Sequence, residues 1–260
     1  MIKLFIDKVE HKFTTTIFPD GTSQVWKIDS IPDWTHLSLV EIVWHFENEA
    51  ELIHVCQLAR LVNEEITDVG VIIAPYLPYA RQDKSVANGQ SFALETVKRI
   101  LNSAGIHRII TFDAHSKSHG VVSLSPTEFH KSIFTHDVVC FPDKGAAERY
   151  GSADAFGKAP IIHCEKIRNQ GTGEITGLKV VGATPDLLFD RKVLIVDDIC
   201  DGGMTFIKVS EALQEFKPKQ VDLAVSHGIF SKGKHVLYSA GIREIFTTNS
   251  LLKNTDGFKV

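Results

Sequence analysis

An excess of one charge is absent. The 260 residues carry 28 Lys and Arg against 32 Asp and Glu, a formal net charge of −4. No basic field is available to draw in a nucleic-acid backbone or an anionic membrane, so neither is expected as a partner. Cysteine is scarce: Cys56, Cys140, Cys164 and Cys200 are scattered with no paired spacing. That argues against a disulfide framework or a zinc site and for a reduced, cytoplasmic protein. No stretch approaches the roughly 18 apolar residues of a membrane span. The opening MIKLFIDKVE breaks its apolar run at Asp7 and Lys8, so no signal peptide is expected. Tandem repeats and low-complexity tracts are also missing.

What is present is an ordinary core-forming composition, 43% hydrophobic and 23% charged. At about 150 residues per domain it suits one large domain or two modest ones. Short β-rich runs alternate with helical patterns, the signature of βαβ units around a mainly parallel sheet. Strands are expected at Lys3–Ile6, Thr15–Phe18, Gln24–Ile28, Leu37–Trp44, Gly70–Ala74 and Arg108–Phe112. A second set is expected at Val138–Phe141, Pro160–Cys164, Lys179–Ala183, Val193–Val196, Gln220–Val225 and Glu244–Thr247. Runs such as VLIV and GVIIA fit strands covered on both faces.

Between the strands, Leu52, Val55, Cys56, Ala59 and Val62 share one helical stripe. In SFALETVKRILNSAG, Leu94, Val97, Ile100 and Leu101 form another, with Ser91 as N-cap and Gly105 as the C-terminal stop. A third helix runs through TFIKVSEALQEFKP and closes at Pro218. The two strand sets imply two similar doubly wound α/β domains, 1–130 and 131–260, joined around 125–137 where the apolar period lapses.

The stretch VLIVDDICDGGMTF, 193–206, poses the main chemical question. Two adjacent carboxylates at the end of a buried strand repel each other and resist desolvation unless a cationic or hydroxyl-rich group meets them. A glycine-bearing turn and a helix opening at Thr205 follow, so backbone N–H groups gather where an anion binds. Asp197 and Asp198 would receive two sugar hydroxyls at the carboxyl edge of the sheet, the usual ligand position in open α/β folds. The plainer alternative is a strand–turn–helix whose aspartates only cap, yet one cap has no need of Asp197, Asp198 and Asp201 together.

DDICDGGMT resembles the phosphoribosyl-pyrophosphate signature shared by type I phosphoribosyltransferases and ribose-phosphate pyrophosphokinases, and it does not separate the two. PYLPYARQDK, 75–84, does. Two prolines fix a loop after a strand, and Arg81, Gln82 and Asp83 suit a phosphate and an adenine edge. The string is similar to the nucleotide loop of ribose-phosphate pyrophosphokinases. TFDAHS, 111–116, resembles that family's D-x-H segment, which implies ATP phosphate and Mg2+ contacts at His115. FPDKGAAER, 141–149, resembles its metal and ribose loop, with Asp143 as a metal ligand and Gly145 in a turn near the pyrophosphate.

CEKIRNQG, 164–171, resembles the start of the family's catalytic loop, which assigns Lys166 and Arg168 to stabilising the transferring diphosphate. IFPDGTSQVWKI, 17–28, is similar to a hairpin that enters a neighbouring subunit's adenine pocket, with Phe18 stacking and Asp20 accepting a hydrogen bond. The resemblance covers about residues 15–250. It implies a type I phosphoribosyltransferase-like fold and transfer of the β,γ-diphosphate of ATP to ribose 5-phosphate. The sugar would lie on Asp197, Asp198 and Asp201, with its phosphate on Gly202, Gly203, Met204 and Thr205. A homo-oligomer sharing the nucleotide site is implied too.

Four positions depart from the family pattern. Thr22 stands for a usual glutamate, Ser123 for an aspartate, Gly202 for a threonine and Met204 for a glycine. Met204 raises the alternative of an acceptor extended beyond its 5′-phosphate, such as ADP-ribose. Thr22 and Ser123 raise that of a non-catalytic regulatory paralogue, and DDICDGGMT alone leaves a phosphoribosyltransferase open.

Overall fold

The computed structural model describes residues 1–29, 39–65, 69–83, 89, 91–152, 154–168, 175–251, 253, 254 and 256–260. The chain forms two compact units, Met1–Leu124 and Ser125–Val260.

The first unit contains strands β1 (Ile2–Ile6), β2 (Val9–His11), β3 (Phe13–Ile17), β4 (Ser23–Ile28), β5 (Val40–Trp44), β6 (Gly70–Ile73), β7 (Ile106–Phe112) and β8 (Val121–Leu124). Its helices are α1 (Ala50–Glu65) and α2 (Ala93–Ser103). Six strands form one sheet in the order β2-β1-β5-β6-β7-β8, and β3 and β4 form a separate hairpin. From β5 to β8 the pairing is parallel. Helix α1 buries Leu52, Val55, Leu58, Ala59 and Val62, the stripe that period 3.6 demands. Cys56 lies beside that stripe and is half-buried. Helix α2 stops at Gly105, whose φ of +88° is open to glycine and whose N–H donates to the Asn102 carbonyl at 3.0 Å. Its start differs from expectation: Phe92, not Ser91, holds the cap position, with no side-chain cap bond. Strands β2 and β8 were not anticipated, because three or four largely exposed residues carry no apolar period.

The second unit runs α3 (Thr127–Ile133), β9 (Val138–Phe141), α4 (Lys144–Tyr150), β10 (Ile161–Arg168), β11 (Ile175–Val181), α5 (Pro185–Leu188), β12 (Lys192–Cys200), α6 (Met204–Gln214), β13 (Gln220–Gly228), α7 (His235–Ser239) and β14 (Ile242–Thr247). The sheet order is β11-β10-β9-β12-β13-β14, parallel except for the β10–β11 hairpin. VVCF and VLIV are buried along their whole length, as central strands covered on both faces must be. The segment around 125–137 is not a featureless linker. Helix α3 buries Phe129 and His130 in an aromatic cluster with Tyr150, Phe156 and Phe258, so it belongs to the second unit, six residues ahead of a boundary at 130.

Two further corrections bear on the site. Strand β12 does not end at Val196: pairing with β9 stops at Ile195, whereas pairing with β13 continues through Asp197–Val225 to Cys200–Gly228. The acidic pair therefore lies within a strand edge held from one side. The helix that follows begins at Met204, one residue before Thr205. Leu37 and Ser38, expected to begin the fourth strand, lie outside the described residues. All four cysteines are free thiols, and Cys140, Cys164 and Cys200 are buried. No helix among the described residues is long and apolar enough to cross a membrane.

Candidate active site

In the second unit, the acidic pair is answered by Arg149. Its Nη1 lies 3.0 Å from Oδ2 of Asp198, whose side chain is 5% exposed. Burial alone would favour a neutral guanidinium, but Asp198 and Tyr150 outweigh it and hold Arg149 charged, above its ordinary pKa. The guanidinium also packs on the Tyr150 ring, 5.5 Å from its centroid. Arg149 was missed as a functional residue although it closes the quoted FPDKGAAER. The signal was the unbalanced carboxylate pair itself, which required a cation.

Asp197 is the less satisfied neighbour. Its Oδ1 accepts the Asp198 N–H at 2.9 Å. Burial, followed by the charge of Asp198, pushes its carboxyl well above the ordinary value of 3.8, and Asp143 adds to the push. A half-exposed carboxyl in that condition is set to hydrogen-bond a hydroxylated ligand.

After Cys200 the chain turns through Asp201 and Gly202 into the cap of α6, Gly203. Its φ is +80°, and it supplies no side-chain cap bond. A Cβ there would also fall 2.9 Å from Cδ2 of Leu237, so glycine is required twice over. The first amides of α6 are thus left for an outside acceptor. Met204 and Thr205 open the helix at the surface, and Met204 is 53% exposed. Asp197, Asp198, Asp201, Gly202, Gly203, Met204 and Thr205 are therefore contiguous around one strand-to-helix corner.

Asp143 also has a structural job. It is the N-cap of α4, its Oδ1 accepting the Ala146 N–H at 2.9 Å, and Gly145 sits inside the first helical turn instead of a loop. The capping geometry occupies one carboxylate oxygen. Lys166 and Arg168 also depart from expectation: their backbones lie on β10, opposite Leu178 and Ile175 of β11, not on a loop. The rest of that segment, 169–174, lies outside the described residues.

In the first unit, the PYLPYARQD and D-x-H segments leave the carboxyl ends of the neighbouring parallel strands β6 and β7. The Pro75 carbonyl accepts the Phe112 N–H at 3.2 Å and the Thr111 hydroxyl at 3.4 Å, tying the two exits together. Leu77 and Ala80 anchor the loop in the core. Tyr79 takes φ +62° and donates its hydroxyl to Oε1 of Glu49 at 2.6 Å. Burial and that carboxylate push its phenol up to about 12. Arg81 and Gln82 are left exposed and Asp83 half-buried. Asp113 is buried with φ +42°, and the next N–H, that of Ala114, donates to Oγ of Ser123 at 2.8 Å. Ser123 thus shapes the turn between Asp113 and the half-buried His115.

Phe18 and Asp20 stand elsewhere, at the tip of the β3–β4 hairpin. Gln57 of α1 clasps that hairpin, accepting the Val25 N–H at 2.7 Å and donating to the Ser23 carbonyl at 3.0 Å. Asp20 accepts both the Thr22 hydroxyl at 2.7 Å and the Thr22 N–H at 3.0 Å, bonds that hold its carboxyl below the ordinary range. Phe18 lines a cavity of about 670 Å³ with Gln57 and Arg60.

No group of three or more His, Cys, Asp or Glu side chains among the described residues converges to cage a metal ion. The α4 cap uses only Oδ1 of Asp143, which leaves its other carboxylate oxygen as the single hard donor that magnesium takes beside waters and substrate phosphates.

With this geometry in view, comparison with known proteins is informative. The phosphoribosyl transferase domain family matches residues 157–249, which include the β12–α6 corner. A ribose-phosphate pyrophosphokinase of Sulfurisphaera tokodaii is 30% identical over 268 residues, covering 94% of this chain and 84% of its own. One from Saccharolobus solfataricus is 28% identical over 264 residues, covering 95% and 86%. The crystal structure of phosphoribosylpyrophosphate synthetase from Mycobacterium smegmatis superposes with a TM-score of 0.76 at 24% identity, over 96% of this chain and 84% of that one. The last likeness is one of fold.

Proposed function

Because the chain belongs to the ribose-phosphate pyrophosphokinase family, we propose that it transfers the β,γ-diphosphate of ATP to the anomeric hydroxyl of ribose 5-phosphate. The products are phosphoribosyl pyrophosphate and AMP. The observation that carries this reading is the corner at 197–205, where an acidic strand edge runs into a helix with no side-chain cap. The sugar's hydroxyls donate to Asp197 and Asp198, with Asp201 beside them, and Arg149 pairs with Asp198 and fixes it in place. The 5-phosphate accepts from the amides of Gly202 to Thr205. Seated this way, the sugar presents its anomeric oxygen at a fixed position, and positioning of that kind supplies much of the rate in phosphoryl-type transfers.

Arg81, Gln82, Asp83 and His115 are the nucleotide-binding side chains in this reading, with Phe18 and Asp20 meeting the adenine from a second copy of the chain. Lys166 and Arg168 are assigned to the diphosphate as it moves. His115 and Asp143 are the side chains that would hold Mg2+, which neutralises phosphate charge when bound. A cytoplasmic location belongs to the same proposal. The named relatives do not favour a phosphoribosyltransferase, an ADP-ribose acceptor or a silent paralogue.

The test is mass spectrometry of products from ATP, Mg2+ and ribose 5-phosphate. AMP and phosphoribosyl pyrophosphate are expected in equal amounts. The double substitution Asp197→Asn with Asp198→Asn is expected to lower kcat/KM by at least about a hundredfold, through the loss of two acceptors at the sugar. Absence of AMP with the unsubstituted chain overturns the proposal.

A further inference from the structure

The loop after β13 is pinned against the phosphate corner. The N–H groups of Ile229 and Phe230 donate to one carbonyl, that of Cys200, at 2.8 and 3.1 Å. Gly233 then donates to the Phe230 carbonyl at 2.8 Å, closing a turn that contains Lys232. This path leaves no room for variation at its start, since a Cβ on Gly228 would lie 2.2 Å from Cε2 of Phe230. Lys232 itself is exposed, and its stem passes over the phosphate turn. Its Cδ and Cε each lie 3.7 Å, and its Cγ 3.9 Å, from where a Cβ on Gly202 would stand. The face of the turn that a side chain at 202 would cover is therefore covered by a lysine from the neighbouring loop.

The surroundings share that charge. Lys234 places its Nζ 5.2 Å from the Phe230 ring centroid. Burial pulls the Lys253 ammonium below its ordinary value, with the charge of Lys234 adding to the pull and Asp201 opposing it. Three lysines thus attend a corner whose own turn holds one carboxylate, Asp201, and amides that no side chain caps. A dianionic phosphate resolves that arrangement: its oxygens accept from the amides while an ammonium meets them from the opposite side.

We propose that Lys232 is a phosphate-binding residue for the acceptor sugar, delivered across the bare face of Gly202 by the pinned β13 loop. The inference rests on the ribose 5-phosphate reading above and adds a side chain to it. It also gives the bare face at 202 a use, because a side chain reaching beyond Cβ there would compete with the lysine's methylenes for the same space.

The experiment pairs steady-state kinetics with calorimetric titration of ribose 5-phosphate, which needs no turnover. Lys232→Met is expected to raise the KM for ribose 5-phosphate and weaken its binding about tenfold or more, the usual weight of a charge-assisted hydrogen bond. The KM for ATP, kcat and the melting temperature should be unchanged, and Lys232→Arg should recover most of the loss. Equal affinity of the unsubstituted chain and Lys232→Met for ribose 5-phosphate overturns the inference and leaves the proposed reaction standing. A rise in both KM values together overturns it as well. Binding without production of AMP instead removes the proposed reaction while Lys232 keeps its role, and no binding at all removes both.

Discussion

Helices α4 and α6 each begin where a central strand of the second sheet ends, and their first turns are completed in opposite ways. Asp143 closes the start of α4 with its own carboxylate. Gly203 opens α6 with a left-handed residue and no side chain. A side-chain cap takes up one of a helix's free donors, whereas a helix without one keeps them all for whatever arrives. The acidic strand edge precedes only the uncapped helix. In the proposed reading anion seat and sugar grip therefore coincide at α6, while α4 contributes a scaffold and, through Arg149, the counter-charge.

Giving α6 an internal anion should break the contrast. Thr205→Glu places a carboxylate in its first turn, where the helix dipole favours it by about 0.3–1 kcal/mol. Melting temperature should hold or rise, while the KM for ribose 5-phosphate climbs about tenfold or more as the carboxylate competes for the amides. A variant that is as active as the parent would show that those amides do not seat the phosphate.

A second expectation concerns Asp197, the carboxyl with no cation paired to it among the described residues. The folded pKa of Asp197 lies above its ordinary 3.8, so the folded state binds the proton more tightly than the unfolded state does. That contribution to stability is complete below about 3.8 and is lost as pH rises through the folded value. Asp197→Asn should therefore melt higher than the parent at neutral and alkaline pH, with the gap closing toward pH 4. Melting curves across that range check it, and a constant gap would refute it.

The smallest effect belongs to the capped helix. Asp143→Ala removes the cap of α4 and should cost about 1 kcal/mol, read as a lower denaturant midpoint. It also withdraws one of the charges that raise Asp197, so the pH dependence just described should weaken in the same variant.

Much of this was legible in the sequence, for physical reasons that differ by region. Uninterrupted apolar runs such as VLIV mark central strands because burial on both faces admits nothing else. The three helical stripes and the stop at Gly105 follow from period and backbone sterics. The corner at 197–205 was legible because acidic residues in a buried strand violate the pattern around them. What escaped depended on contacts distant in sequence. The extension of β12 to Cys200 is set by β13, not by its own residues. That Asp143 also caps α4 shows only once the Ala146 amide is seen to use it. The match of CEKIRNQG to a loop could not reveal that Lys166 and Arg168 sit on a hairpin strand whose partner begins at Ile175.

The double constraint on Gly203 has an evolutionary consequence. Ser, Thr, Asp or Asn at that position is the usual one-step way for a helix to satisfy its own amides. Here all four meet the Leu237 methyl 2.9 Å from the added Cβ, and Ser and Thr also meet an unfavourable left-handed φ of +80°, which Asp and Asn adopt more readily. The easiest mutation that could silence the anion seat is thus also one that damages the fold, and drift toward a non-binding descendant must find another path.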